Sequence, residues 1–174
     1  MGRHQNDDLQ SFPADTPFEV YPGDLAGVET PMAFAEGTVC VPVVNFPATY
    51  AASTFSFGNP ATGTGEVNAI DAATRSLLWK AEFKSPAFGG ATVAGDLVFT
   101  STLAGTLVAF DRASGAMRWS WQAPGGINGL LAVAGDTLLV PVGMANPPQL
   151  VALKIGVSGF SLKEHQVEAT SGYD

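Results

Sequence analysis

From Met32 onward the apolar residues come in short β-rich runs, each pair of runs broken by one small polar step. Ala33-Phe34-Ala35 and Val39-Cys40-Val41 flank Glu36-Gly37, Thr92-Val93-Ala94 and Leu97-Val98-Phe99 flank Gly95-Asp96, and Ala132-Val133-Ala134 and Thr137-Leu138-Leu139-Val140 flank Gly135-Asp136. Such a step between β-branched and aromatic runs predicts a hairpin. A longer pattern lies over these hairpins: the stretch Gly65 to Trp79 returns 40 residues later as Gly105 to Trp119. Ala69, Asp71 and Trp79 recur in register as Ala109, Asp111 and Trp119.

Each repeat therefore holds four short strands, in the middle unit at about 91–94, 97–101, 106–111 and 116–122. A period of 40 residues with four strands per unit is the spacing of a β-propeller. The expected fold is all-β, a partial β-propeller of about three four-stranded antiparallel blades at roughly 32–83, 90–123 and 130–163. Residues 1–31 carry Phe12-Pro13, Thr16-Pro17, Tyr21-Pro22-Gly23 and Thr30-Pro31 and read as an irregular arm. Residues 164–174 read as a polar tail.

Within a repeat, Asp71 and Asp111 stand where a carboxylate accepts bonds from backbone N–H groups two or three residues on, and Gly115 supplies positive φ. Arg75 occupies the place of Gly115, so the first turn is either strained or of another type. The third repeat has no Asp and no Trp in register and is degenerate, as terminal repeats are. Trp79 and Trp119 offer large apolar surfaces with one N–H each, and Ala69 and Ala109 leave room for close approach. Their role is to join blades.

The pattern Ala69-x-Asp71-x-x-Thr74-Arg75-x-x-x-Trp79, with its second copy ending at Gly115 and Trp119, resembles the tryptophan-docking motif of quinoprotein-like (PQQ-type) β-propeller repeats. The resemblance covers about residues 32–155, and Gly2-Arg3-His4-Gln5-Asn6 looks like the tail of an earlier blade in longer relatives. That family forms closed rings of seven or eight blades. It implies for this chain either a piece of a longer propeller or a homo-oligomer that completes the ring with copies of itself, since open apolar faces and strand edges invite pairing. It also implies PQQ and calcium as cofactors of a complete ring, and a family often found outside the cytoplasm.

Antiparallel parity places the long connections on one rim, where a scaffold carries binding groups. The segment 45–64 contains Asn45, Phe46, Tyr50, Phe55 and Phe57, the leading ligand or partner candidates, and Asn128 and Asn146 share the rim. The alternative for the aromatics is cover for a neighbouring blade. Asp71, Asp96, Asp111 and Asp136 belong to turns and supply no general base, and no local acidic loop makes a calcium site. The single cysteine, Cys40, excludes an internal disulfide and reads as a small hydrophobe. His4 and His165 read as solvated.

Composition narrows the partners. A net charge of -8 with only 8 Lys and Arg argues against nucleic acid. No apolar run is long enough for a membrane helix, and the first eight residues are too polar for a signal peptide. The reading is a non-catalytic propeller scaffold or fragment, needing no cofactor by itself and binding through its long-loop rim. Two alternatives stay open: part of a PQQ-dependent alcohol dehydrogenase with its catalytic residues in other blades, or an envelope-protein assembly propeller that binds peptide.

Overall fold

The hairpin steps dictate where each sheet begins. Glu36 and Gly37 take φ of 46° and 79°, the two positive angles of a type I′ turn, whereas the other two hairpins have a single positive angle, 57° and 61°, at Gly95 and Gly135 in the place of Glu36. The computed structural model describes residues 17–51, 54–155 and 165–167, with backbone alone for Thr54, Phe55 and 165–167. Its strands are β1 (Phe18–Val20), β2 (Ala33–Ala35), β3 (Thr38–Asn45), β4 (Ala48–Ala51), β5 (Thr54–Phe57), β6 (Thr64–Asp71), β7 (Leu77–Phe83), β8 (Thr92–Ala94), β9 (Leu97–Ser101), β10 (Thr106–Asp111), β11 (Met117–Gln122), β12 (Ala132–Ala134), β13 (Thr137–Val142), β14 (Gln149–Lys154) and β15 (His165–Val167). Three antiparallel four-stranded sheets follow, β2-β3-β6-β7, β8-β9-β10-β11 and β12-β13-β14-β15. They are the blades of a partial propeller.

The register repeats with the sequence. Cys40 lies opposite Ala69 and Ala69 opposite Trp79, then Phe99, Ala109 and Trp119, then Leu139, Ala152 and His165. In the first blade the row that ends at Trp79 faces the second: buried Cys40, Val67, Ala69 and Trp79 pack with Ala91, Val98, Val108 and Phe110. Phe99, Leu107 and Ala109 pack in turn with Leu138, Val140, Val151 and Leu153 of the third blade, with Trp119 packed against them. Cys40 is fully buried, and desolvation pushes its thiol up to about 11 against the opposing pull of Arg112. It packs as a hydrophobe.

Trp79 joins the first two blades through one specific contact. Its Nε1–H donates to the Arg112 carbonyl at 2.8 Å, and its ring covers Gly115, where a Cβ would stand 2.6 Å from the indole. Glycine is needed there twice over, for space and for its φ of 71°. Arg112 adds a second link between these blades: Nη2 reaches Glu36 Oε2 at 2.5 Å and Nη1 reaches the Ala35 carbonyl at 3.4 Å. The backbone N–H of Arg112 also holds the Asp96 carbonyl at 2.8 Å.

Several boundaries differ from the sequence expectation. The arm is not wholly irregular, because β1 pairs with β4 in a separate sheet, β1-β4-β5. The 45–64 connection is that hairpin followed by a 3-10 turn at Pro60–Thr62, started by Asn59 accepting from the Ala61 N–H at 2.9 Å. The third blade runs past 163, because its fourth strand is His165–Val167 inside the expected tail. Residues 1–16, with His4 and the Gly2–Asn6 stretch, lie outside the described residues, as does most of the tail. The first Asp turn is strained and not of another type: Arg75 has φ 63° and donates its N–H to the Asp71 carbonyl at 2.8 Å, as Gly115 does to Asp111.

Arg75→Gly therefore raises stability by about 1 kcal/mol, by removing the left-handed penalty. Gly115→Ala lowers it by about 3 kcal/mol, because strain and overpacking add. Urea-unfolding midpoints of the two variants move in opposite directions if this holds.

Candidate functional site

The rim opposite the tight hairpins carries the longer connections, and the first blade's end of that rim is hollow. A cavity of about 750 Å3 lies against the end of β3 and the start of β6, lined by Asn45, Thr64, Glu66, Glu82 and Lys84 with Pro22, Val43 and Phe83 as its apolar wall. Asn45 Nδ2 donates to Thr64 Oγ1 at 3.0 Å, which orients both into this cavity's border. A smaller cleft of about 290 Å3 between Pro60, Ser85, Leu103 and Ala104 shares Lys84 with it.

The cavity's charged floor comes from strand alternation. Glu66 and Asn68 on β6 lie opposite Glu82 and Lys80 on β7, so their side chains share one face of the sheet. Lys80 Nζ meets Glu82 at 2.5 Å and Glu66 at 3.4 Å, and Asn68 Nδ2 donates to Glu66 at 2.8 Å. Glu82 holds the Lys80 ammonium above its usual range, and Lys80 holds the Glu82 carboxyl below its own. A carboxylate so held is a poor proton acceptor near neutrality. The patch can bind and orient polar groups.

The expected site residues divide. Asn45 lines the cavity. Phe46 does not: it is buried and meets Phe88 edge-on at 6.2 Å, the blade-covering role. Tyr50 stacks on Phe18 at 6.0 Å and donates to Asp24, which raises its own phenol pKa. Phe57 is exposed on the β4–β5 hairpin, and the side chain of Phe55 lies outside the described residues. Asn128 and Asn146 are exposed at the third blade's end of the rim, where Asn128 Oδ1 lies against Gly143. These residues do not converge on one cavity.

Glu66, Lys80, Glu82 and Arg112 were missed as a set. The signal for the first three is their two-residue spacing on paired strands, which puts like positions on one face. Arg112 follows a turn Asp and reads as solvated, whereas the neighbouring blade buries it.

Among the described residues no three His, Cys, Asp or Glu side chains gather as a metal ion would require. Asp111 accepts from Arg118 Nη2 at 2.8 Å and from the Ser114 N–H and hydroxyl at 2.9 and 2.8 Å. Arg118 first, then Ser114, holds it well below the usual carboxylate range. Asp71 accepts from the Thr74 N–H at 2.6 Å and hydroxyl at 2.8 Å and is lowered in the same way. These are turn residues.

The family model described as outer membrane protein assembly factor BamB matches residues 63–156. Methanol dehydrogenase [cytochrome c] subunit 1 of Methylobacterium organophilum is 38% identical over 68 residues, which are 38% of this chain and 11% of that protein. The quinohemoprotein alcohol dehydrogenase from Comamonas testosteroni superposes with TM-score 0.57 at 19% identity over 87% of this chain and 27% of that one. A europium-containing methanol dehydrogenase gives TM-score 0.57 at 18% identity over 84% and 26%. A quinohemoprotein alcohol dehydrogenase from Pseudomonas putida HK5 gives 0.54 at 19% over 67% and 22%. The chain thus spans about a quarter of these solved relatives, and at such identities they establish the propeller fold.

The lowered Asp111 carboxyl contributes stability that is present above about pH 4, the unfolded value, and is lost as pH falls through the folded value. Wild type is therefore more stable than Asp111→Asn at neutral pH, and the two urea midpoints converge in acid.

Proposed function

The chain belongs to the PQQ_2 family of propellers, described as outer membrane protein assembly factor BamB, and we propose that it is a section of a PQQ-dependent alcohol dehydrogenase type of ring. It forms part of the ring wall and presents a polar binding rim, while catalytic residues lie in other blades. One observation carries this reading. The segment before β2 runs over the first blade as the connection 84–91 runs over the second. Gly27 and Val44 exchange N–H···O bonds of 2.7 and 2.8 Å and the Gly23 N–H reaches the Phe46 carbonyl at 2.8 Å. In the second blade the Leu103 N–H reaches Pro86 at 2.9 Å and the Gly89 N–H reaches Ser101 at 3.0 Å. A segment laid this way is the crossing from an earlier blade.

That the similar proteins are dehydrogenases supports the class of ring. PQQ and calcium belong to this proposal, but the described residues do not fit them: no metal-ligating trio is present among them, and Asp71, Asp111, Glu66 and Glu82 are already engaged. No step of the reaction is assigned to this chain. The chain alone, given PQQ, calcium and a primary alcohol, reduces no redox dye and gives no saturable change in quinone absorbance, whereas a longer polypeptide containing it does both. Dye reduction by the isolated chain, or its absence from the longer protein, overturns the reading.

The family description favours a second reading, in which the rim binds peptide during envelope-protein assembly. The β1-β4-β5 sheet, with both outer strands short and Phe57 exposed, supplies edges on which an extended peptide can add.

A further inference from the structure

We infer that the first blade's outward face receives a further four-stranded sheet that docks without a tryptophan, and that Arg75 decides this. The inference rests on the ring reading above and concerns how that ring is held at one seam.

That the face is built to be covered follows from its inner row. Phe34, Val39 and Ile70 hold the places that Val93, Val98 and Phe110 hold in the second blade, where they pack on the first. In the first blade Phe34 is 68% exposed and Leu78 49%. Phe34 in the interblade row is left bare, and Leu78 on the same blade is half exposed. The occupant is thus a blade continuing the existing series of blade-on-blade contacts.

That this blade brings no tryptophan follows from the docking slot. Trp79 covers Gly115 so closely that a Cβ there would come within 2.6 Å of the ring. Arg75 sits in the same turn with the same 2.8 Å bond and nearly the same φ, 63° against 71°. Its Cβ consequently points into the space an incoming indole would fill. The outer part of the face is changed as well: Glu66, Asn68, Lys80 and Glu82 replace Thr106, Val108, Ser120 and Gln122 of the second blade. Lys80 is shared by the two glutamates, which leaves one net negative charge on this part of the face. A neighbour that lies over them meets one unbalanced carboxylate and supplies a polar or basic partner for it.

The opposite end of the chain is mismatched to this slot. The residue opposite Ala152, where Trp79 lies opposite Ala69, is His165. A second copy would thus present no tryptophan in this register to the Arg75 turn, so copies do not close a ring head to tail.

The test measures mass in solution by sedimentation or light scattering, with circular dichroism and urea midpoints to confirm folding. Wild type shows no head-to-tail growth. Arg75→Gly combined with His165→Trp restores both halves of the docking contact and about doubles the weight-average mass or more as concentration rises. Arg75→Ala with His165→Trp keeps the Cβ, removes the charge and stays unassembled. Three results overturn the inference: a wild-type chain that forms rings, glycine and alanine variants that assemble alike, or a folded glycine variant that does not assemble. Failure of the quinone assay on the longer protein leaves these masses unaffected, so the two proposals fall separately.

Discussion

The contact on which the sheets depend is an indole lying on a glycine. A four-stranded blade has two apolar faces to remove from water, and packing blade on blade covers both. Trp79 meets that need by removing a large apolar surface from water while its N–H finds the Arg112 carbonyl, so no polar group is left unsatisfied. Its demands propagate into the sequence. Gly115 must lack a side chain, Ala69 must be small opposite the indole, and Asp111 must fix the turn that presents Gly115. The repeat is the set of residues this one contact requires.

This explains what was legible. Ala, Asp, Gly and Trp at fixed intervals announce the blade because each is chosen by a local geometric demand that few residues meet. The hairpin steps were legible for the same reason, since Glu36-Gly37 must adopt positive φ at both positions. The fourth strand of the third blade was not: His165 occupies the tryptophan's register without its side chain, and no turn signal leads to it. The β4–β5 hairpin was hidden among Ala, Ser and Thr, which mark a loop as readily as a short strand. Arg112 was illegible in principle, because its burial is imposed by Ala35 and Glu36, residues more than seventy positions away in sequence.

The long-loop rim was legible as a face and not as a cavity. Antiparallel parity fixes which end of the sheets carries long connections, and Asn45 lines the cavity there because it ends a strand. Aromatic side chains in the same connection looked equally available, yet Phe46 is consumed in covering Phe88. Hydrophobic burial outcompetes ligand exposure wherever a neighbouring blade is within reach.

Four of the described acidic residues are committed to structure and not to proton transfer. A base needs a carboxylate left without a strong partner and raised by burial. Here four carboxylates are drawn the other way: Asp111 by Arg118 and Ser114, Asp71 by Thr74, Asp136 by Lys154 at 2.5 Å, and Glu82 by Lys80. Every one of these is stabilised in its charged form by the same contacts that close a turn or tie two strands. A carboxylate released from that structural duty is the kind that can take up a proton near neutrality.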